Sequence, residues 1–159
     1  MPPGAISLSR FARSCTACGL CISSCPEKAL VQAGPFDYGL RGWMMPKLDF
    51  SKGACDPGCS RCAEVCPAKA LLRREGESVR IGVAEWSMDD CRTTGGDACS
   101  LCRDRCPNEA ISLVASEDGK VPHPVVDAAK CVGCGKCENY CPAVRKAIRV
   151  VPLDPQEPA

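Results

Sequence analysis

Large aromatic side chains are almost missing from this sequence: three Phe, two Tyr and two Trp make up 4% of its 159 residues. A chain so poor in bulk cannot build a large conventional core, so something other than packed rings must hold it together. Its single histidine, His123, lies in Pro122-His123-Pro124 and reads as a rigid turn residue rather than a metal ligand. No run of about 20 apolar residues occurs, which argues against a membrane-spanning helix. The opening Met1-Pro2-Pro3-Gly4 has neither a charged start nor an apolar stretch, so no export signal is visible. The expected compartment is cytoplasmic for the chain as it stands, with export by a folded-protein route if a signal precedes it.

Cysteine is the opposite case. There are sixteen, too many to remain free thiols, so they must be cross-linked or metallated. The stretch Cys131-Val132-Gly133-Cys134-Gly135-Lys136-Cys137-Glu138-Asn139-Tyr140-Cys141-Pro142 spaces them C-x2-C-x2-C-x3-C-P, the bacterial run for an iron–sulfur cubane. Three thiolates so spaced can curl round three corners of one [4Fe–4S] cube. The fourth, about a helical turn further on, faces elsewhere and reaches a second cube. Gly133 and Gly135 let the loop backbone approach the sulfides and offer N–H donors.

The pattern occurs four times. Cys15, Cys18, Cys21 and Cys25 repeat it strictly. Cys55, Cys59, Cys62 and Cys66 carry one extra residue between the first two ligands. Cys91, Cys99, Cys102 and Cys106 carry a longer insertion at the same place, which makes Cys91 the least certain ligand. Every fourth cysteine precedes a proline, a regularity foreign to disulfide scaffolds. Zinc would use paired C-x2-C elements and has no need of the third cysteine or the C-x3-C-P ending. The expected cofactors are therefore four [4Fe–4S] clusters. Each would bring a charge of about −2, taking the protein from the formal +1 of the sequence to about −7. Such an acidic holoprotein is a poor match for nucleic acid.

Each proline opens a similar tail, as in Pro26-Glu27-Lys28-Ala29-Leu30, Pro67-Ala68-Lys69-Ala70-Leu71 and Pro107-Asn108-Glu109-Ala110-Ile111, which reads as a short helix running into a strand. Further strand signals precede three motifs, at Lys47-Leu48-Asp49, Val83-Ala84-Glu85 and Val125-Val126-Asp127. Turn signals at Arg74-Glu75-Gly76-Glu77 and Glu117-Asp118-Gly119-Lys120 suggest small hairpins. The predicted fold class is α+β, with two ferredoxin-like units, each holding two clusters, and short hairpins and helical turns around them. Residues 36–46 collect Phe36, Tyr38, Trp43, Met44 and Met45. They are expected to form a loop packed over a cluster, the alternative being a docking face for a redox partner. The proline-rich end from Pro152 is expected to be extended or disordered.

On these four motifs, and above all on the insertion between Cys91 and Cys99, the chain resembles the four-cluster ferredoxin-type proteins of periplasmic nitrate reductase and methylamine utilisation systems. It resembles more distantly the four-cluster electron-transfer subunits of molybdenum oxidoreductases. That second resemblance implies nested units: residues 1–46 with 118–159 as an outer unit holding motifs one and four, and residues 47–117 as an inner unit holding motifs two and three. The ligand sets it implies are Cys15, Cys18, Cys21 and Cys141 for cluster one, and Cys55, Cys59, Cys62 and Cys106 for cluster two. Cluster three would take Cys91, Cys99, Cys102 and Cys66, and cluster four Cys131, Cys134, Cys137 and Cys25. Sequential pairing stays open, because residues 79–151 alone could supply all the strands of one unit.

No nucleophile–base pair, phosphate loop or second cofactor fingerprint is visible, so the chain is not expected to be an enzyme. Relay of single electrons between redox proteins, with a membrane quinone-linked oxidoreductase among the candidate partners, is the function these features imply. A maturation or iron–sulfur delivery role for a molybdenum enzyme and a place as a subunit of a larger enzyme are the alternatives. Local charge is uneven: Arg92, Arg103 and Arg105 surround the third motif, Lys130 and Lys136 the fourth, and the first has no charge between Cys15 and Cys25. Positive neighbours favour a reduced cluster, so cluster three is expected at a higher potential than cluster one, unless these arginines are spent in surface pairs with Asp104 and Glu109.

Overall fold

The computed structural model describes residues 1–73, 76–115 and 122–158. Its elements are short because the cysteine spacing leaves little room between ligands. Helix α1 (Leu8–Ser14) is the exception, capped by the Ser7 hydroxyl, which accepts from the Arg10 amide, and it buries Phe11. The other helices are single turns of four residues, α2 (Leu20–Ser23), α3 (Arg61–Glu64), α4 (Leu101–Asp104) and α5 (Lys136–Asn139), each carrying the third cysteine of its motif. The helix expected after each proline is therefore found before it. Beyond the proline the chain turns, and there Lys28, Lys69 and Glu109 take positive φ (52°, 49° and 49°), a left-handed conformation that no right-handed helix can include.

Three two-stranded antiparallel sheets complete the fold. Strand β1 (Leu30–Gln32) pairs with β2 (Pro46–Leu48), and β4 (Ile111–Val114) with β5 (His123–Val126). Strand β3 (Val79–Trp86) pairs with β6 (Ile148–Pro158). The strand signals at Lys47, Val83 and Val125 thus fall on β2, β3 and β5. The expected turn at residues 117–120 lies outside the described residues, as do Arg74 and Glu75 of the other.

Two cores arise from these pairings. One gathers Ala5, Phe11, Leu30, Met45, Ala70 and Leu71 around Cys21 and Cys62. The second gathers Ala84, Ala110, Ile111 and Ile148 around Cys131 and Cys137. Motif one therefore shares a unit with motif two, and motif three with motif four. These cores do not confirm the nested arrangement with its boundaries at 46/47 and 117/118. The reason lies in strand closure: β3 enters motif three and β6 leaves motif four, so pairing β3 with β6 closes a unit around those two motifs alone. In the first unit the corresponding closure is a backbone bond from the Leu72 amide to the Gly4 carbonyl (2.8 Å).

Among the described residues two seams join the units. Strand β6 holds register with β3 from Ile148 opposite Trp86 to Pro152 opposite Gly82, then breaks register and resumes with Glu157 opposite Arg80. The intervening residues reach the first unit. The Gln156 amide donates to Ile6 O (2.6 Å), its side chain accepts from Gly4 N and donates to Pro2 O (2.9 Å each), and Asp154 accepts from Leu8 N (3.0 Å). The end of the chain is thus a strand and strap rather than a loose tail, because its extra residues find partners on the neighbouring unit. The second seam joins cysteine loops: the Cys55 amide donates to Cys134 O (2.8 Å), and Asn139 donates to Phe50 O (2.7 Å). Gly135, at φ +78°, lies so close to the Phe50 ring that a Cβ there would collide with it.

Candidate metal centres

All sixteen cysteines are unbridged, and they line four separate cavities in sets of four. The first holds Cys15, Cys18 and Cys21 with Cys66. The second holds Cys55, Cys59 and Cys62 with Cys25. Cys91, Cys99 and Cys102 stand with Cys141 in the third, and Cys131, Cys134 and Cys137 with Cys106 in the fourth. Three consecutive cysteines of one motif thus meet the last cysteine of the motif it is folded against. The nested expectation put Cys141, Cys106, Cys66 and Cys25 in the first to fourth sites in turn; the structure brings Cys66, Cys25, Cys141 and Cys106 there instead, because α2 packs on α3 and α4 on α5. Cys91, the uncertain ligand, does reach its cavity. The insertion behind it winds into a 3₁₀ turn (Arg92–Gly95) that brings the buried Thr93 hydroxyl within 3.2 Å of the Cys91 sulfur.

Backbone amides address several sulfurs. Ala70 N donates to Cys66 Sγ and Ala110 N to Cys106 Sγ, both at 3.3 Å, each directly after a left-handed residue, Lys69 or Glu109. The left-handed turn is what aims the next amide at the thiol. Ala17 N donates to Cys15 Sγ and Ala84 N to Cys131 Sγ, at 3.4 Å each. Gly133 serves close approach differently from the sequence expectation: at φ +75° it lies against the backbone of Gly82, where a Cβ would clash.

Several buried thiols resist ionising on their own. Burial first, then the charges of the sulfurs around it, push Cys21 up to about 12. Burial likewise takes Cys62 to about 11 and Cys102 to about 11, and it raises Cys137. Such a set becomes four thiolates only round a compensating cation. Cys91 departs from these four: burial raises it, but hydrogen bonds, those from Thr93 and the Thr94 amide among them, more than offset this and leave it below the ordinary thiol value. The buried Trp86 indole N–H has no hydrogen-bond partner, and Trp86 lines this third cavity with Cys91. A donor left over among four thiols matches a cluster whose sulfides accept. Among the described residues no three Cys, His, Asp or Glu side chains converge on a point where one ion could sit. The sulfurs surround a volume instead, as a cube requires and a tetrahedral zinc does not.

Comparison with known proteins agrees. The family described as 4Fe-4S dicluster domain matches residues 14–70 and 97–144, one match on each unit. The methylamine utilization ferredoxin-type protein MauM of Methylophilus methylotrophus is 36% identical over 165 residues, covering 96% of this chain and 70% of that protein. MauM of Paracoccus denitrificans is 38% identical, covering 96% of this chain and 71% of the relative. The ferredoxin-type protein NapG of Escherichia coli is 35% identical, covering 96% and 70%. The chain belongs to the ferredoxin-type 4Fe–4S proteins. Its sixteen cysteines accommodate four [4Fe–4S] clusters, and its function is iron–sulfur electron transfer.

In this ferredoxin-type protein the basic residues of motif three are engaged at the surface. Arg103 pairs with Asp104 (2.7 Å) and Arg92 with Asp97 (2.9 Å), each roughly half exposed, while Arg105 lies 4.5 Å over the Tyr140 ring. Exposed pairs of this kind exert little net field; the expected surface pairing is found at Asp104, while the second acid is Asp97 rather than Glu109. Residues 36–46 divide their duties. Met45 and Pro46 are fully buried, Tyr38 meets Phe11 edge-on with ring centroids 6.5 Å apart, and Pro46 lines the first cavity. Phe36, Leu40 and Trp43 face solvent, at 98%, 85% and 61% exposure. His123 stacks on Trp86 (5.4 Å, 19°) at the entry to β5, a contact the sequence offered no signal for.

Proposed function

We propose that the four clusters are held by Cys15, Cys18, Cys21 and Cys66; by Cys55, Cys59, Cys62 and Cys25; by Cys91, Cys99, Cys102 and Cys141; and by Cys131, Cys134, Cys137 and Cys106. The observation that carries this reading is the lining of the four cavities. A bound cluster supplies one-electron transfer without bond making. The chain's contribution is to hold the thiolates, exclude water and set the local field. The cavities take the spatial order one, two, four, three, since α2 packs on α3, the Cys55 amide meets Cys134 O, and α5 packs on α4. Sites one and three are the two ends of that row, and Cys18 of site one is solvent-exposed. The protein is a carrier between redox proteins rather than a catalyst, docking partners at its ends. Among the described residues no helix is long and apolar enough to cross a membrane.

Pairs of alanine substitutions test the ligand sets. In anaerobically prepared protein with about sixteen irons, removing a cluster takes away about four. Cys15→Ala combined with Cys66→Ala is expected to remove one cluster, because both hold the same one. Cys66→Ala with Cys91→Ala is expected to remove two. The reverse result would restore the nested assignment.

A further inference from the structure

One buried charge has no part in the ligand sets. Arg73 is 8% exposed and is the buried charged residue of the described chain. Its Nε donates to Glu77 O (2.8 Å), and an Nη donates to Pro57 O. Both acceptors are neutral carbonyls, so they orient the guanidinium without cancelling its charge. Pro57 lies between Cys55 and Cys59, so this bond sets the guanidinium beside the second site, where its positive charge favours the thiolates of Cys55 and Cys62. Pro57 belongs to Asp56-Pro57-Gly58, the C-x3-C spacer that makes motif two irregular. Asp56 accepts from Gly58 N (3.0 Å) and closes that spacer into a tight turn. The extra residue thus places a carbonyl where it clamps Arg73 against the second site.

A buried guanidinium is costly unless an anion lies beside it. Four thiolates round a [4Fe–4S] core are such an anion, with a net charge of about −2 before reduction and about −3 after it. Interaction with a fixed positive charge strengthens as the negative charge grows, so the arginine favours the reduced form. Arg61, Arg92 and Arg103 are exposed and ion-paired, and Arg10, on the carbonyls of Lys69 and Ala70, is less deeply buried than Arg73.

We propose that Arg73 is a positioning and tuning residue for the cluster of Cys25, Cys55, Cys59 and Cys62, raising its reduction potential and making it the more easily reduced of the two clusters in the first unit. The proposal rests on the ligand sets above. Because this site abuts Cys134 of the second unit, it places the electron sink of the first unit at the seam between the units.

The test is redox titration of the intact holoprotein with dithionite, followed by electron paramagnetic resonance. Arg73→Gln is expected to lower one midpoint so that reduction is at least tenfold less favourable, about 59 mV for one electron. Arg73→Lys is expected to keep most of the wild-type value, and Arg103→Ala to change none. As a readout independent of any variant's assembly, wild-type protein labelled with ¹⁵N-arginine is expected to show hyperfine coupling from an arginine nitrogen to a reduced cluster. Unchanged midpoints in Arg73→Gln at full iron content would overturn the proposal. So would a labelled wild type with no arginine coupling, which decides the matter if Arg73→Gln fails to hold its iron. Fewer than about sixteen irons in the wild type would instead sink the four-cluster reading itself.

Discussion

The first unit completely buries Phe11, Met45, Pro2 and Pro46, whereas among the largest fully buried side chains of the protein the second contributes Ile148 alone. The first also has α1, with Phe11 on its inner face, an element with no counterpart before motif three. In its place the second unit has the long β3–β6 ribbon, and its other buried aliphatic residues, Ile81, Ala84, Ala110, Ile111, Val132 and Ala147, are small or of middling size. The same two-cluster layout is therefore stabilised in two ways, by a side-chain core beside the cysteines in one unit and by a strand ladder in the other. Insertions at the same point of the motif are also used differently. One extra residue in motif two clamps a buried arginine, while the longer one in motif three forms a turn that supplies Thr93 to Cys91.

Substitutions can break or sharpen that contrast. The largest effect is expected from Phe11→Ala, which empties the one fully buried ring of the chain's first core and should cost about 3–5 kcal/mol of stability. Hydrogen exchange on the holoprotein should show protection lost in β1–β2 and retained in β3–β6; equal loss in both would mean that the two units share one core. A smaller effect is expected from Gln156→Ala, which removes two side-chain bonds of the strap and should cost about 1–3 kcal/mol in denaturant unfolding. Its mark would be faster exchange at Gly4 and Leu8 with β3–β6 register intact; an unaltered exchange pattern would show that the Cys55–Cys134 seam alone joins the units. The smallest is Arg103→Ala, whose exposed pair with Asp104 should contribute under about 0.5 kcal/mol, with every midpoint unchanged. A lowered midpoint there would put electrostatic tuning in the second unit as well.

Much of this was legible in the residues. The four motifs, the C-x3-C-P halves and the strand signals at Lys47, Val83 and Val125 all stand where the spacing put them, since each depends on neighbours within one loop or one strand. The helical turn was misplaced relative to its proline because the chain reverses through a left-handed residue, and Lys28, Lys69 and Glu109 are not residue types that announce one. The arginines around motif three stood out by proximity in sequence, yet each is occupied by a surface partner. Arg73, beyond the end of motif two, gave no local signal of being brought back against Cys55.

The residues alone settled the cofactor and its number, because three thiols spaced two residues apart already describe most of one cube. Which cysteine joins each set of three was decided in three dimensions. The fourth sulfur of each cavity comes from whichever motif the closing strands bring alongside, and the pairing of β3 with β6, like that of Gly4 with Leu72, joins segments far apart in the chain. The burial of Arg73 and the docking of the strap on Gly4 are of the same kind, set by packing between distant segments rather than by the spacing of neighbours.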